Sequence, residues 1–342
     1  MFVLNENSKI YVAGSTGMVG SAICRLLNRY GINSKNKNLL VTSRKELDLT
    51  NTFKVNEWFS QYKPDIVIIA AAKVGGILVN NNQPVQFLLE NLRIQNNLIE
   101  ASYKFGVKRL LFLGSSCIYP KFAKQPIKEE YLLSDSLEET NQWYAIAKIA
   151  GIKLCDAYRQ QYNFDAISLM PTNLYGPKDN FDIDSSHVMA SLIRKFFEAK
   201  FHKHEKVLCW GTGEPLREFL YVEDFAEACI FTLKNWFPRQ KNSPKEMNGK
   251  SLTRLNIGSN FEITIKELAE KISNIIGYEG QIIWDETKPN GTPRKKLDIS
   301  HIESLGWSPK TDLDSGIKKS LDYYQKIFFD NNQFENPKKH FQ

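Results

Sequence analysis

The stretch KIYVAGSTGMVG, Lys9 to Gly20, decides the fold. Lys9 to Ala13 alternates into an apolar run that reads as a strand, Gly14 to Gly20 is a glycine loop, and Met18 to Tyr30 reads as the helix that the loop opens. Gly14, Gly17 and Gly20 let the backbone turn tightly and approach a pyrophosphate at the helix N-terminus, where free N–H groups and the helix dipole favour anions. A glycine pattern alone is weak evidence; the strand before it and the helix after it supply the context it needs. Gly14, Ser15, Thr16, Gly17, Met18, Val19 and Gly20 are therefore candidate dinucleotide contacts.

Outward from this unit the pattern repeats. A second strand, Asn38 to Thr42, ends in Ser43-Arg44. No acid stands where one commonly grips the adenosine ribose diol of NAD, and Arg44 can meet a 2′-phosphate instead, so NADP is expected over NAD. Asp48 and Leu49 are assigned to the same cofactor edge. Asp65 to Ala72 reads as a buried parallel strand bounded by Pro64 and the glycines of KVGG. A helix from about Pro84 to Phe105 precedes a strand from Lys108 to Gly114, which delivers Leu113, Gly114 and the segment GSSCIYP to the sheet's carboxyl edge. Ligands bind at that edge in open α/β sheets. A helix from Gln142 to Tyr162 and a strand from Ala166 to Met170, ending at PTNLYGP, continue the alternation. The fold class is α/β: a doubly wound parallel (Rossmann) sheet with a smaller α+β substrate lobe.

After Pro177 the pattern loosens. Asp182 to His187 reads as a polar loop, Val188 to Ala199 as an amphipathic helix, and Val207 to Trp210 and Arg217 to Cys229 as strand and helix segments. Asn235 to Ser251 looks like a surface loop. Thr264 and Glu267 have capping-box spacing, predicting a helix to Ile276. A strand at Gln281 to Trp284 leads to KPNGTPRKKLD, and a last helix spans roughly Asp312 to Phe329. The division expected is a cofactor domain over 1–177, to which 206–234 and 252–258 can return, a substrate lobe over 178–330 and a polar tail over 331–342.

The chain of 342 residues has room for two such lobes. Its 45 basic residues against 38 acidic ones are scattered, which fits a mild attraction for anionic ligands rather than a nucleic-acid stripe. The five cysteines lack paired short spacings, so neither disulfides nor zinc are expected and a reducing, cytoplasmic setting fits. No segment has the roughly 18 apolar residues of a membrane span.

Chemistry gathers at GSSCIYP and at YAIAK, where Tyr144 and Lys148 stand four positions apart on one helix face, making a serine, a tyrosine and a lysine available together. These residues, with AAAKVGGI, LGSSCIYPKFAKQPI, MPTNLYGPKDNF, SHV, WGTGEPLREFL and KPNGTPRK in order over roughly Lys9 to Lys326, resemble the extended short-chain dehydrogenase/reductase family. The resemblance implies a homodimer that epimerises GDP-4-keto-6-deoxy-mannose at C3 and C5 and reduces its C4 ketone with NADPH, giving GDP-L-fucose. In this reading Tyr144 is the proton donor, Ser115 hydrogen-bonds the ketone, and Lys148 lowers the tyrosine's pKa and reaches the nicotinamide ribose. Cys117 is implied as the base of the epimerisation and His187 as its acid.

The same resemblance places Ser116, Pro171, Thr172, Asn173, Leu174 and His187 on the cofactor edge with Leu113, Gly114, Ser115, Tyr144 and Lys148. Lys195 and Arg217 would neutralise the diphosphate, Trp210 would wall the nucleotide, and Asn290, Arg294 and Lys295 would close the pocket. Ser15-Thr16 stands where some members carry His-Arg, and Asn290 where an Asp is often found. Two other readings compete. A sugar-nucleotide 4-epimerase or 4,6-dehydratase would share Tyr144 and Lys148, although the Asp-Glu pair of the dehydratases is absent near Ser116-Cys117. A non-catalytic NADP sensor would have no need of a proton donor.

Overall fold

The computed structural model describes residues 4, 5 and 7–332. The chain opens with β1 (Ile10–Ala13), α1 (Met18–Arg29), β2 (Leu39–Val41), α2 (Thr52–Tyr62) and β3 (Ile66–Ile69), and continues through α3 (Ile77–Asn82), α4 (Pro84–Lys104) and β4 (Arg109–Leu113). Next come α5 (Gln142–Tyr162), β5 (Ala166–Pro171), β6 (Asn173–Tyr175), α6 (Val188–Phe201), β7 (Lys206–Trp210), β8 (Leu216–Tyr221) and α7 (Val222–Asn235). The remainder is β9 (Arg254–Ile257), β10 (Glu262–Thr264), α8 (Ile265–Ile276), β11 (Gln281–Asp285), β12 (Arg294–Lys295), α9 (Ser300–Ser304) and α10 (Leu313–Asn332).

Six strands form one parallel sheet in the order β2-β1-β3-β4-β5-β9. The strands IYVA, IVII and RLLFL are buried at every position, as expected for a sheet with helices on both faces. Each fully buried Ile or Leu there contributes about 1.5–3 kcal/mol of transfer free energy. The helix α4 packs along α5, and α1 packs against α7. Strand order reverses between β1 and β3, so the carboxyl ends there open a crevice.

A second core forms around α6, α8 and α10, with Phe196, Leu268, Ile272 and Ile317 fully buried. Small sheets frame it: β8 pairs with β6, β10 and β12, and β7 pairs with β11. The segment 206–234 therefore divides. Its strand β7 lies with the smaller core, whereas α7 lies on the large one; β9, inside 252–258, is the sixth strand of the large sheet. The capping box at the head of α8 is formed: Glu267 N donates to Thr264 Oγ1 at 3.1 Å and Thr264 N to Glu267 Oε2 at 2.9 Å. Residues 333–342 of the expected tail lie outside the described residues.

The loop after α7 is more than surface. Trp236 is fully buried, its indole N–H donating to Ser243 Oγ at 3.1 Å, and its carbonyl accepts a hydrogen bond from the buried Arg109 of β4. Arg109 also stacks 4.1 Å from the Phe237 ring and pairs with Asp165 at 3.6 Å. A buried guanidinium must find such partners, and the loop supplies them.

Candidate active site

The carboxyl ends of β1, β3, β4 and β5 and the facing elements of the smaller lobe line one cleft of about 1260 Å³. At its β1 end, Gly14 has φ +84°, and a Cβ on Gly20 would come 2.1 Å from the Gly14 carbonyl oxygen, so the loop folds onto α1 only with these two glycines. This cradle fits a dinucleotide diphosphate. Thr16, Gly17, Met18, Val19, Arg44, Asp48 and Leu49 line the cleft here; Ser15 does not. Arg44 is 82% exposed and 3.9 Å from Glu90, leaving its guanidinium open to an anion.

The loop after β3 is held by Asn91, whose side chain accepts from Lys73 N at 2.8 Å and donates to Lys73 O at 3.0 Å. Across the cleft Gly76 N donates to Ser185 O at 3.0 Å, tying this loop to the one that carries His187. His187 sits at the N-terminus of α6 and faces the cleft. Desolvation and, secondarily, Lys295 lower its pKa, favouring neutral imidazole in the free chain.

At the end of β4, Leu113, Gly114, Ser115, Ser116 and Cys117 all reach the cleft. Ser115 has extended backbone and caps the turn that follows, its Oγ accepting from Cys117 N at 3.2 Å. The helix α5 brings Tyr144 and Lys148 alongside, clamped from α4 by Gln95, which donates to the Ala147 carbonyl at 2.6 Å. Tyr144 hydrogen-bonds Ser115. Lys148 is buried and donates to the Leu113 carbonyl at 2.7 Å.

That last contact corrects one expectation. Lys148 does not lower the Tyr144 pKa here; burial, then Cys117, push the phenol well above its ordinary value, with only the Ser115 hydrogen bond opposing. Burial meanwhile brings Lys148 down to about 8. The ammonium is spent on a backbone carbonyl, and the phenol is left in its protonated, donating form.

Cys117 lies between two donors. Lys295 Nζ is 3.5 Å and Asn141 Nδ2 3.6 Å from its sulfur. A cation against a thiol is the arrangement that stabilises a thiolate. Arg217 feels both Cys117 and the nearly buried Glu138, and burial lowers its pKa to about 10. Pro171, Thr172, Asn173 and Leu174 line the cleft at the end of β5, with Asn173 donating to Glu218 O at 2.7 Å.

Farther along, Lys195 donates to Leu208 O at 2.8 Å and stands 5.5 Å from the centre of the exposed Trp210 ring. Asn290 turns its side chain onto Thr212, accepting from Thr212 N at 2.9 Å, and its carbonyl accepts from Arg217 at 3.3 Å, so it shapes this wall from behind. Arg294 is a second correction. It forms a two-pronged pair with Glu262, at 2.5 and 2.9 Å, and does not line the cleft, because successive residues of β12 point to opposite faces and Lys295 takes the inner one.

Three residues of the site were not singled out in the sequence. Glu138 lies beyond the end of GSSCIYP in an irregular stretch with no pattern to mark it. Asn141 is in the same stretch, and Asp179, raised to about 7 by burial, follows PTNLYGP directly, a position that was the available signal. Among the described residues no group of His, Cys, Asp and Glu is arranged to hold a metal ion, and no helix is long and apolar enough to cross a membrane.

Comparison with known proteins places this geometry among relatives. Residues 10–248 match the NAD dependent epimerase/dehydratase family. The chain is 54% identical over 322 residues to GDP-L-fucose synthase 1 of Arabidopsis thaliana, covering 94% of each. It is 44% identical to GDP-L-fucose synthase of Escherichia coli K12, covering 93% of this chain and 97% of that one. Among solved structures, a GDP-L-fucose synthetase from Naegleria fowleri bound to NADP superposes with a TM-score of 0.83 at 27% identity, covering 96% of both chains.

Proposed function

Because the chain belongs to the NAD dependent epimerase/dehydratase family and, within it, to the GDP-L-fucose synthases, we propose that it converts GDP-4-keto-6-deoxy-mannose to GDP-L-fucose, epimerising C3 and C5 and then reducing C4 with NADPH. The observation that carries this reading is the meeting of Ser115, Tyr144 and Lys148 with Cys117 and Lys295 in one cleft. The first three suffice for a reductase. The paired thiol and cation add a base.

The glycine cradle, Arg44 and the edge of β5 hold the cofactor, and Lys195, Trp210 and Arg217 the GDP moiety. NADPH, when bound, supplies the hydride. In the epimerisations Cys117 removes the proton next to the ketone, the electron pair moves onto the C4 oxygen, and Ser115 and Tyr144 donate hydrogen bonds to that oxygen. His187 returns a proton from the opposite face. The negative charge of the diphosphate works against the lowering of its pKa. In the reduction Tyr144 gives its proton to the C4 oxygen, which its burial keeps available.

The test is product stereochemistry. With GDP-4-keto-6-deoxy-mannose and NADPH, NMR should show the L-galacto configuration with deuterium from D2O at C3 and C5; Cys117→Ser should lose that deuterium far more than it loses reduction of an already epimerised substrate. Undiminished exchange in Cys117→Ser removes the thiol as base, and absence of NADPH oxidation favours a cofactor sensor.

The proposal includes a homodimer. Val85 and Leu89 on α4 and Trp143 and Ile146 on α5 are exposed apolar residues on two helices that pack together, a surface suited to a second copy; a mass of one chain in sedimentation would exclude it. It also includes a cytoplasmic setting, in which the five free thiols stay reduced; fractionation of cells checks it.

A further inference from the structure

Two epimerisations served by one thiol and one imidazole leave a difficulty. After the first, Cys117 carries a proton and His187 has lost one, which is the reverse of what the second requires. We propose that Glu138, with Asn141 and one water, forms the route by which Cys117 sheds the proton it has taken, so that the same thiol can act twice; this rests on the function proposed above.

Behind Cys117 lies a small recess lined by Ser116, Glu138, Asn141, Thr292 and Lys295. Its interior of about 10 Å³ has room for one water. Asn141 aims Nδ2 at the Cys117 sulfur from 3.6 Å, while its Oδ1 is buried and without a hydrogen-bond partner. Glu138 is 7% exposed; its Oε2 is buried 2.9 Å from Lys121 Nζ yet makes no hydrogen bond, and its Oε1 has only a long one from Thr140 at 3.4 Å. Two buried acceptors around a polar space of that size are what an ordered water satisfies.

Glu138 also lines the main cleft, and its partner Lys121 is one-third exposed, so the carboxylate has one side toward the recess and another toward bulk water. The transfer balances. The thiol gives its proton to the water as the water gives one to the Glu138 carboxylate, and the carboxyl group returns that proton to the cleft solvent. The thiolate that remains faces Lys295. Since a carboxylic acid is ordinarily stronger than a thiol, the protonated Glu138 is short-lived and acts as a relay, not as a store. The competing role, a fixed counter-charge for Arg217 and Lys121, would affect substrate binding and both epimerisations alike.

The experiment follows deuterium entry in D2O by mass spectrometry with GDP-4-keto-6-deoxy-mannose in single turnover. In Glu138→Gln the first deuterium should enter within about three-fold of the parent rate and the second at least about 30-fold slower, so that singly labelled sugar accumulates, while Glu138→Asp recovers most of the second step. Asn141→Leu, which fills the recess and removes the acceptor, should show the same accumulation and serves if Glu138→Gln does not fold. Equal slowing of both positions, or entry of both at the parent rate, overturns the relay. No deuterium entry in the parent enzyme overturns the epimerase reading itself, and the relay with it.

Discussion

Lys295 Nζ lies 3.5 Å from Cys117 Sγ although 178 positions of chain separate them. The approach depends on β12 pairing in parallel with β8, which sets Lys295 opposite Arg217. The pairing is locked by Glu218, whose buried carboxylate accepts from Leu297 N at 3.0 Å, Ser259 N at 2.7 Å and Asn260 N at 2.9 Å. Glu218 thus joins the strand of the smaller lobe to the two segments that follow β9 and β12. The cation at the sulfur is a consequence of the way the lobes are sewn together.

The two residues of β12 should separate cleanly. Lys295→Met removes the charge at the thiol and should slow deuterium entry by roughly 30-fold or more, about 2 kcal/mol of transition-state stabilisation. Arg294→Gln breaks the exposed pair with Glu262 and should cost stability of only about 1 kcal/mol or less with KM unaltered. Kinetics and thermal melts of both variants check this; a raised KM in Arg294→Gln would return that residue to the substrate site.

The pH profile should report Lys148. Burial lowers its pKa to about 8, so the ammonium is present below that value and lost above it. If the cation is needed beside the cofactor and Tyr144, kcat/KM for reduction falls as pH rises through about 8, since that ratio titrates the free enzyme. Lys148→Arg, which stays charged, should remove this limb from the profile even at reduced activity. A limb at the same pH in Lys148→Arg would assign it to another group.

The glycine loop makes a paired prediction. A methyl on Gly20 would lie 2.1 Å from the Gly14 carbonyl oxygen, backbone against backbone, whereas on Gly17 it meets nothing in the protein nearer than 3.6 Å. Gly17 also has φ −74°, open to any residue. Gly20→Ala should therefore lower stability by about 2–3 kcal/mol, seen in melting. Gly17→Ala should keep the fold within about 1 kcal/mol yet weaken NADPH binding, because the space it fills is where a diphosphate approaches the backbone.

The contrast between these residues also explains what the sequence reveals. The unit of β1, loop and α1 is legible because strand, glycines and helix are contiguous, and α5 is legible in full, its observed bounds Gln142–Tyr162 matching those read from the apolar pattern. The helix α2 escapes notice because only Val55 and Phe59 are buried on it, too few to make a period. The strand β10 is hidden by the capping signal of α8, which begins at its last residue. Arg294 and Lys295 are adjacent basic residues, and only the strand's alternation assigns one to Glu262 and the other to Cys117. Glu138 and Asn141 acquire meaning only when the chain folds back on GSSCIYP, an encounter that no local pattern encodes.

The nucleotide end of the cleft can be tested apart from the chemistry. Trp210 is 44% exposed, with Lys195 and Lys288 standing 5.5 and 5.7 Å from its ring centre. A flat ring with two cations beside it suits a purine base and its diphosphate, and contributes little to the fold because so much of it is in solvent. Trp210→Ala should raise KM for the GDP-sugar about ten-fold, the loss of a stacking and cation–π contribution of roughly 1–1.5 kcal/mol. Its melting temperature and NADPH affinity should change little, since the cradle at Gly14 lies at the other end of the cleft and distant sites act independently. Titration of the variant with GDP and, separately, with NADPH decides the matter: equal weakening of both would mean that Trp210 supports the cleft as a whole, and loss confined to GDP assigns the ring to the nucleotide of the substrate.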